Sequence, residues 1–116
     1  LIVHCVRAYD EVLSQLKKHA FREPVIFHGF DKHPNTARQL LSAGCYLSFG
    51  MALFRENSHA AEALATCPAD RFLLETDTSD TPLRDVYTRA AQVRGVPVEA
   101  LEQQVWATGK KVFRHF

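Results

Sequence analysis

Short apolar runs alternate with segments of helical periodicity along the whole chain. The runs span residues 1–6, 24–30, 45–50 and 71–77. The first two show no strict alternation of apolar and polar side chains, as is typical of strands buried on both faces of a parallel sheet. Amphipathic helices are predicted at residues 8–21, 34–43, 57–66, 82–94 and from 97 onward. The sequence therefore predicts an α/β fold of parallel β-α units.

Glycine and proline residues mark the predicted helix ends. Pro82 and Pro97 open the last two helices, and Thr81 is placed to cap the first of these. Gly44 and Gly95 stand where helices are expected to stop. Four such strands form either a small open sheet or half of an eight-stranded barrel.

Length and composition exclude several classes of protein. A chain of 116 residues, 47% hydrophobic and 23% charged, predicts a packed core within one domain or part of one. A net charge of +1 excludes a protein that binds duplex DNA mainly through its overall charge. No apolar run approaches the ~18 residues of a membrane span, so the chain is predicted to be cytoplasmic. Leu1 falls inside a predicted strand, which suggests that the start of a larger fold is missing.

The three cysteines, Cys5, Cys45 and Cys67, are far apart and form no CxxC pair. Neither a disulfide framework nor a cysteine zinc knuckle is indicated. We expect reduced thiols, mostly buried.

Three of the four predicted strands end in a side chain that can bind a metal. These are His4, His28 and Asp77. Parallel strands place their carboxyl ends on one rim, so the three groups are expected to converge, and two imidazoles with a carboxylate suit zinc or a similar divalent ion. A single such histidine is more often a hydrogen-bonded core residue, but the recurrence at equivalent strand ends favours the metal site.

Glu75 precedes Asp77 by two residues and would point to the same side of a regular strand. It is predicted to support the metal site by contacting a ligand residue without binding the metal itself, or else to pair with a polar group of a neighbouring strand. His33 and Lys32 follow His28 in the same loop and are candidate substrate contacts near the rim.

Four motifs together resemble the TatD-type metal-dependent hydrolases, the TatD DNase family. They are Val3-His4-Cys5 with Arg7-Ala8, Val25-Ile26-Phe27-His28-Gly29-Phe30, Gly44-Cys45-Tyr46-Leu47-Ser48-Phe49-Gly50 and Leu73-Leu74-Glu75-Thr76-Asp77. The resemblance covers nearly all the chain. It implies that residues 1–116 are a single partial domain, the C-terminal half of a TIM-type (β/α)8 barrel.

The resemblance also implies a site and an activity. His4 and His28 match two histidine ligands, Glu75 matches the glutamate of its run, and Asp77 matches an aspartate that binds metal and acts as the catalytic residue. The implied reaction is hydrolysis of phosphodiesters, as in a deoxyribonuclease, by a metal-activated water, with zinc, magnesium or manganese as cofactor and DNA or another phosphodiester as substrate.

Two departures from the family pattern limit the prediction. The His-x-His pair of the first family strand and a later glutamate ligand do not occur in these 116 residues. The chain therefore carries part of the metal site, and alone it is expected to be inactive. We expect the missing N-terminal half, or a second chain, to complete the barrel.

Two other functions remain open. One is a non-catalytic metal-binding or interaction module built from a half barrel. The other is a hydrolase of the wider amidohydrolase type that cleaves an ester or amide.

Overall fold

The computed structural model describes residues 2–3, 11, 14–15, 24–76 and 82–113. Four strands form one parallel sheet in the order β1-β2-β3-β4. Their bounds are Ile2–Val3 (β1), Ile26–Phe27 (β2), Tyr46–Phe49 (β3) and Phe72–Leu74 (β4). This confirms the predicted parallel β-α arrangement, and the strands are shorter than the apolar runs that predicted them.

Helices follow β2, β3 and β4. They are Pro34–Ser42 (α1), His59–Thr66 (α2), Leu83–Arg94 (α3) and Val98–Phe113 (α4). Residues 11, 14 and 15 are also helical, within the helix predicted after the first strand. A short 3₁₀ turn at Met51–Phe54, which the sequence did not indicate, links β3 to α2.

The helix ends follow local chemistry. Gly44 and Gly95 adopt φ values of +86° and +67°, a left-handed conformation that favours glycine after a helix. Ser58 caps α2 by accepting a hydrogen bond from the Ala61 N–H at 3.0 Å. Helix α3 begins one residue later than predicted, with Pro82 at its cap position and no side-chain cap bond. The predicted cap, Thr81, lies outside the described residues.

The strands present different side chains to the two faces of the sheet. Phe27, Leu47 and Phe72 are in register and fully buried in the core. Ile26, Ser48 and Leu73 alternate with them and line a cleft of about 1140 Å³. The cleft is also bordered by α3 and α4, whose side chains Leu83, Trp106 and Phe113 are exposed there.

Within the segments that the structure describes, no helix has both the length and the apolar character needed to cross a bilayer.

Arg94, the last residue of α3, ties this helix to the end of α2. Its guanidinium donates hydrogen bonds to the Leu64 carbonyl at 2.8 Å and to the Cys67 carbonyl. The same group lies 4.8 Å from the centre of the Phe72 ring. These carbonyls stand at the end of α2, where the usual backbone donors four residues further on are missing. The Leu64 carbonyl also accepts a hydrogen bond from the Cys67 N–H at 3.2 Å.

We expect Arg94→Met, which keeps the aliphatic stem but removes the donors, to lower the free energy of unfolding by about 1–3 kcal/mol. Chemical denaturation of the two proteins measures this difference. The control Arg84→Met, at an exposed position on α3, should change stability by no more than about 0.5 kcal/mol. Equal effects of the two substitutions would show that the Arg94 contacts do not stabilise the fold.

Candidate functional site

Three neighbouring strands end side by side at one edge of the sheet. His28 follows β2, Gly50 follows β3 and Glu75 follows β4. Since the strands are parallel and adjacent in this order, these residues meet at the carboxyl edge. In parallel β-α folds this is the edge where functional side chains gather.

The Glu75 carboxylate reaches across β3 to the end of β2. One oxygen, Oε1, accepts a hydrogen bond from the Gly29 N–H at 2.7 Å. The other, Oε2, contacts Nδ1 of His28. Both carboxylate oxygens are therefore engaged by residues that precede Glu75 by more than forty positions.

The backbone of Glu75 is also fixed. Its N–H donates to the Phe49 carbonyl at 2.9 Å, which continues the pairing of β3 and β4 past their last residues. The side chain is thus held at both ends, by β3 at the peptide and by the loop after β2 at the carboxylate. A side chain tethered in this way has little freedom to move.

This contact determines the chemistry that His28 offers. A neutral imidazole that donates from Nδ1 to a carboxylate carries its lone pair on Nε2, the atom that can then coordinate a metal. Histidines that bind metals usually donate their other ring N–H to such a carboxylate, which fixes the ring and raises its basicity. His28 and Glu75 have this arrangement, with side-chain exposures of 30% and 19%.

The other two predicted ligands, His4 and Asp77, lie outside the described residues. His4 comes next in sequence after β1, and Asp77 comes next after Thr76. Among the residues that the structure does describe, no three His, Cys, Asp or Glu side chains lie close enough to hold a metal ion. Convergence of His4, His28 and Asp77 therefore stays a prediction.

His33 and Lys32, the predicted substrate contacts, lie in the loop between β2 and α1. Nδ1 of His33 accepts a hydrogen bond from the Asn35 N–H at 3.0 Å, so the imidazole caps α1. The exposed His33 ring also lies 5.6 Å from the His59 ring, centre to centre. Lys32 is half-buried. A capping role for His33 was not predicted from the sequence.

Asp31, in the same loop, is a contact that the sequence did not reveal. Its Oδ1 accepts from the Ala60 N–H at 3.2 Å, at the start of α2, and its Oδ2 pairs with Arg55. This carboxylate therefore holds the loop after β2 against α2. No local sequence signal could have found it, because the partners are 24 and 29 residues away.

The two thiols that the structure describes take no part in the site. Cys45 and Cys67 are both free and buried, as predicted, and Cys5 lies outside the described residues. Burial raises the pKa of both thiols, that of Cys67 to about 12. They therefore remain protonated at neutral pH, whereas a metal ligand or nucleophile must be a thiolate.

Comparisons with known proteins identify the family of this chain. The sequence profile of the family described as TatD related DNase matches residues 1–114. A protein of Escherichia coli K12, named as the uncharacterized metal-dependent hydrolase YcfH, is 31% identical over an alignment of 118 positions. The alignment covers 89% of this chain and 44% of YcfH. An uncharacterized metal-dependent hydrolase of Mycoplasma pneumoniae is 27% identical, covering 97% of this chain and 50% of its own length.

Solved structures share the fold. The TatD homolog YJJV of Escherichia coli K12 superposes with a TM-score of 0.86 at 22% identity, covering 96% of this chain and 48% of that protein. A TatD family hydrolase of Entamoeba histolytica gives 0.85 at 11% identity, covering 97% of this chain and 50% of that protein. The chain spans about half the length of these relatives, and its α/β fold corresponds to half of their barrel. The chain belongs to the TatD-related DNase family.

Proposed function

We propose that this chain is half of a divalent-metal-dependent hydrolase barrel and that the completed enzyme cleaves phosphodiester bonds, as a deoxyribonuclease does. The observation that carries this proposal is the contact between Glu75 and Nδ1 of His28 at the carboxyl edge of the sheet. The description of the family as a DNase supports phosphodiester cleavage, and the names of the curated relatives support metal-dependent hydrolysis.

A purely structural role for this pair is the alternative to consider. A structural ion pair needs the two charged groups to satisfy each other, and nothing in that role requires a particular ring nitrogen. Here the carboxylate is held by the Gly29 N–H and meets the histidine at Nδ1. Because the carboxylate contacts Nδ1, Nε2 is the ring atom that can bind a metal, and this favours a metal site.

The proposed ligands are His4, His28 and Asp77, which follow β1, β2 and β4 in the sequence. The donor set fits a divalent ion such as zinc, magnesium or manganese, since imidazole and carboxylate suit these metals to different degrees. When bound, such an ion supplies positive charge that lowers the pKa of a water molecule and offsets charge on phosphoryl oxygens. Glu75 keeps the His28 ring in place without itself being a ligand.

The protein's own groups perform the remaining steps. The Asp77 carboxylate is proposed to accept a proton as the water oxygen attacks phosphorus and the bond to the leaving oxygen breaks. The leaving oxygen keeps the electron pair of that bond and takes up a proton from solvent. His33 accepts at Nδ1 from the Asn35 N–H, so its neutral ring carries hydrogen on Nε2. This donor and the ammonium of Lys32 are proposed to bind a phosphate oxygen of the substrate.

We expect hydrolysis of a chromogenic phosphodiester once the chain is coproduced with the complementary segment of the Escherichia coli relative YcfH and supplied with a divalent metal. His28→Ala should abolish this activity. Glu75→Gln should lower kcat/KM by about 10- to 100-fold, because it removes a carboxylate that orients a ligand. The control Glu62→Gln, at an exposed position on α2, should leave the rate unchanged.

Two results would contradict the proposed reaction. Turnover of a lactone or simple ester but of no phosphodiester would indicate a hydrolase of the amidohydrolase type. Metal binding by a folded complex with no turnover of any of these substrates would indicate a non-catalytic module.

Completion of the barrel is a further part of the proposal. Among the described residues, β4 pairs with a strand only on its β3 side. One face of the sheet also borders an apolar cleft, which holds the exposed Trp106 and Phe113 side chains of α4. An eight-stranded barrel needs four more parallel strands, which the other half of a longer protein or a second copy of this chain would provide.

We expect the 116-residue chain alone to associate, because an open sheet edge and an apolar cleft favour burial against another surface. Size-exclusion chromatography with light scattering measures this directly. Phe113→Glu, on the cleft, should shift the chain toward monomer. Phe54→Glu is a matched control, since the two side chains are 50% and 44% exposed but Phe54 does not line the cleft. A monodisperse monomer for the unsubstituted chain would refute association.

A further inference from the structure

Gly50 occupies the point where Glu75 crosses the sheet. It follows β3, the strand between those that carry His28 and Glu75. Neighbouring strands are about 4.8 Å apart, so β2 and β4 are separated by about 10 Å. The Glu75 side chain can span this gap only by passing over the end of β3. Gly50 lies there, buried, with no side chain to obstruct it.

The space beside Gly50 is already filled by Glu75. A Cβ atom on residue 50 would lie 2.9 Å from the Glu75 carbonyl oxygen and 3.0 Å from Glu75 Cγ. Non-bonded carbon atoms are most favourably placed about 3.5–4.0 Å apart, so a methyl group would overlap both the backbone and the side chain of Glu75.

Glu75 has little room to yield to such a methyl group. Its peptide N–H is bonded to the Phe49 carbonyl, and its carboxylate is bonded to the Gly29 N–H. A shift of its backbone would disturb the first contact, and a rotation of its side chain would disturb the second. Either movement would also take the carboxylate away from His28.

We propose that Gly50 is a positioning residue for the candidate metal site. Because Gly50 has no side chain, Glu75 can pass over the end of β3 and reach Nδ1 of His28. This contact fixes the tautomer of the imidazole. The relevance to catalysis rests on the proposed function. The contact itself is a property of the chain without metal and is tested without metal.

The test is the tautomeric state of His28 in the 116-residue chain, labelled with ¹⁵N-histidine and measured by long-range ¹H–¹⁵N NMR at a pH where the imidazole is neutral. A His28→Gln variant identifies the His28 signals among the six histidines. The unsubstituted chain should carry hydrogen on Nδ1. Both Gly50→Ala and Glu75→Ala should shift His28 toward the Nε2–H form.

A matched control distinguishes this effect from the general effect of adding a methyl group. Apart from its chain neighbours and the backbone of its own helix, a Cβ on Gly109, in α4, would come nearest to Phe113 Cδ2 at 4.0 Å, an ordinary contact. Gly109→Ala should therefore leave the His28 spectrum unchanged. A Gly50→Ala chain that folds and keeps the unsubstituted His28 spectrum would overturn the proposal.

If Gly50→Ala does not fold, the double variant Gly50→Ala/Glu75→Ala tests the proposal instead. If the obstruction is the tethered Glu75 side chain, the double variant should fold, with the His28 spectrum of Glu75→Ala alone. A double variant that also fails to fold would show that the added methyl group conflicts with the backbone, at β3 or at the Glu75 carbonyl, and not with the Glu75 side chain, and the proposal would be wrong.

These outcomes are separate from those of the proposed reaction. A tautomer shift in Gly50→Ala supports the positioning role whether or not the completed barrel cleaves phosphodiesters. Conversely, phosphodiester cleavage with an unchanged His28 spectrum in Gly50→Ala would support the reaction and reject the role of Gly50.

Discussion

The contact between the Glu75 carboxylate and Nδ1 of His28 is the interaction on which the candidate site depends. It joins two residues that are 47 positions apart and stand at the ends of strands that are not neighbours. It exists only because the sheet is parallel, so that all strands end at one edge, and because the register of β3 and β4 places Glu75 beside Gly50. A change in either would leave His28 without its carboxylate partner.

The rest of the described fold supports this edge. The Gly29 N–H holds one carboxylate oxygen, and Asp31 fastens the same loop to the start of α2. Arg94 then joins the end of α2 to α3. The loop that carries His28 is thereby connected to the helical layer by hydrogen bonds as well as by the apolar core.

The sequence predicted the features that arise locally. Apolar runs and helical periodicity located four strands and the helices α1 to α4. This was possible because a strand buried on both faces and an amphipathic helix each have a characteristic pattern of neighbouring residues. Gly44 and Gly95 were identified as helix ends for the same reason. The motifs around His28 and Glu75 pointed to the family, which the comparison confirms. The roles of His4 and Asp77 stay predictions, since both lie outside the described residues.

Features that depend on strand register could not be predicted in this way. The sequence offered Glu75 two roles, support of the ligands or pairing with another strand, and only the arrangement of β2, β3 and β4 shows that it meets His28. The close approach of Gly50 to Glu75, the capping of α2 by Asp31 and the 3₁₀ turn after β3 are likewise absent from any local pattern. One sequence signal for Gly50 was present. A glycine directly follows β3, whereas the two neighbouring strands, β2 and β4, are followed by His28 and Glu75.

The central claim is that Glu75 holds His28 so that its Nε2 binds a divalent metal. The most direct measurement is anomalous X-ray diffraction from crystals of this chain soaked with zinc. The account predicts an anomalous peak about 2.0–2.1 Å from Nε2 of His28, with Glu75 still bonded to Nδ1. A crystal with no peak at His28, or with the metal on Nδ1 in place of Glu75, would contradict it.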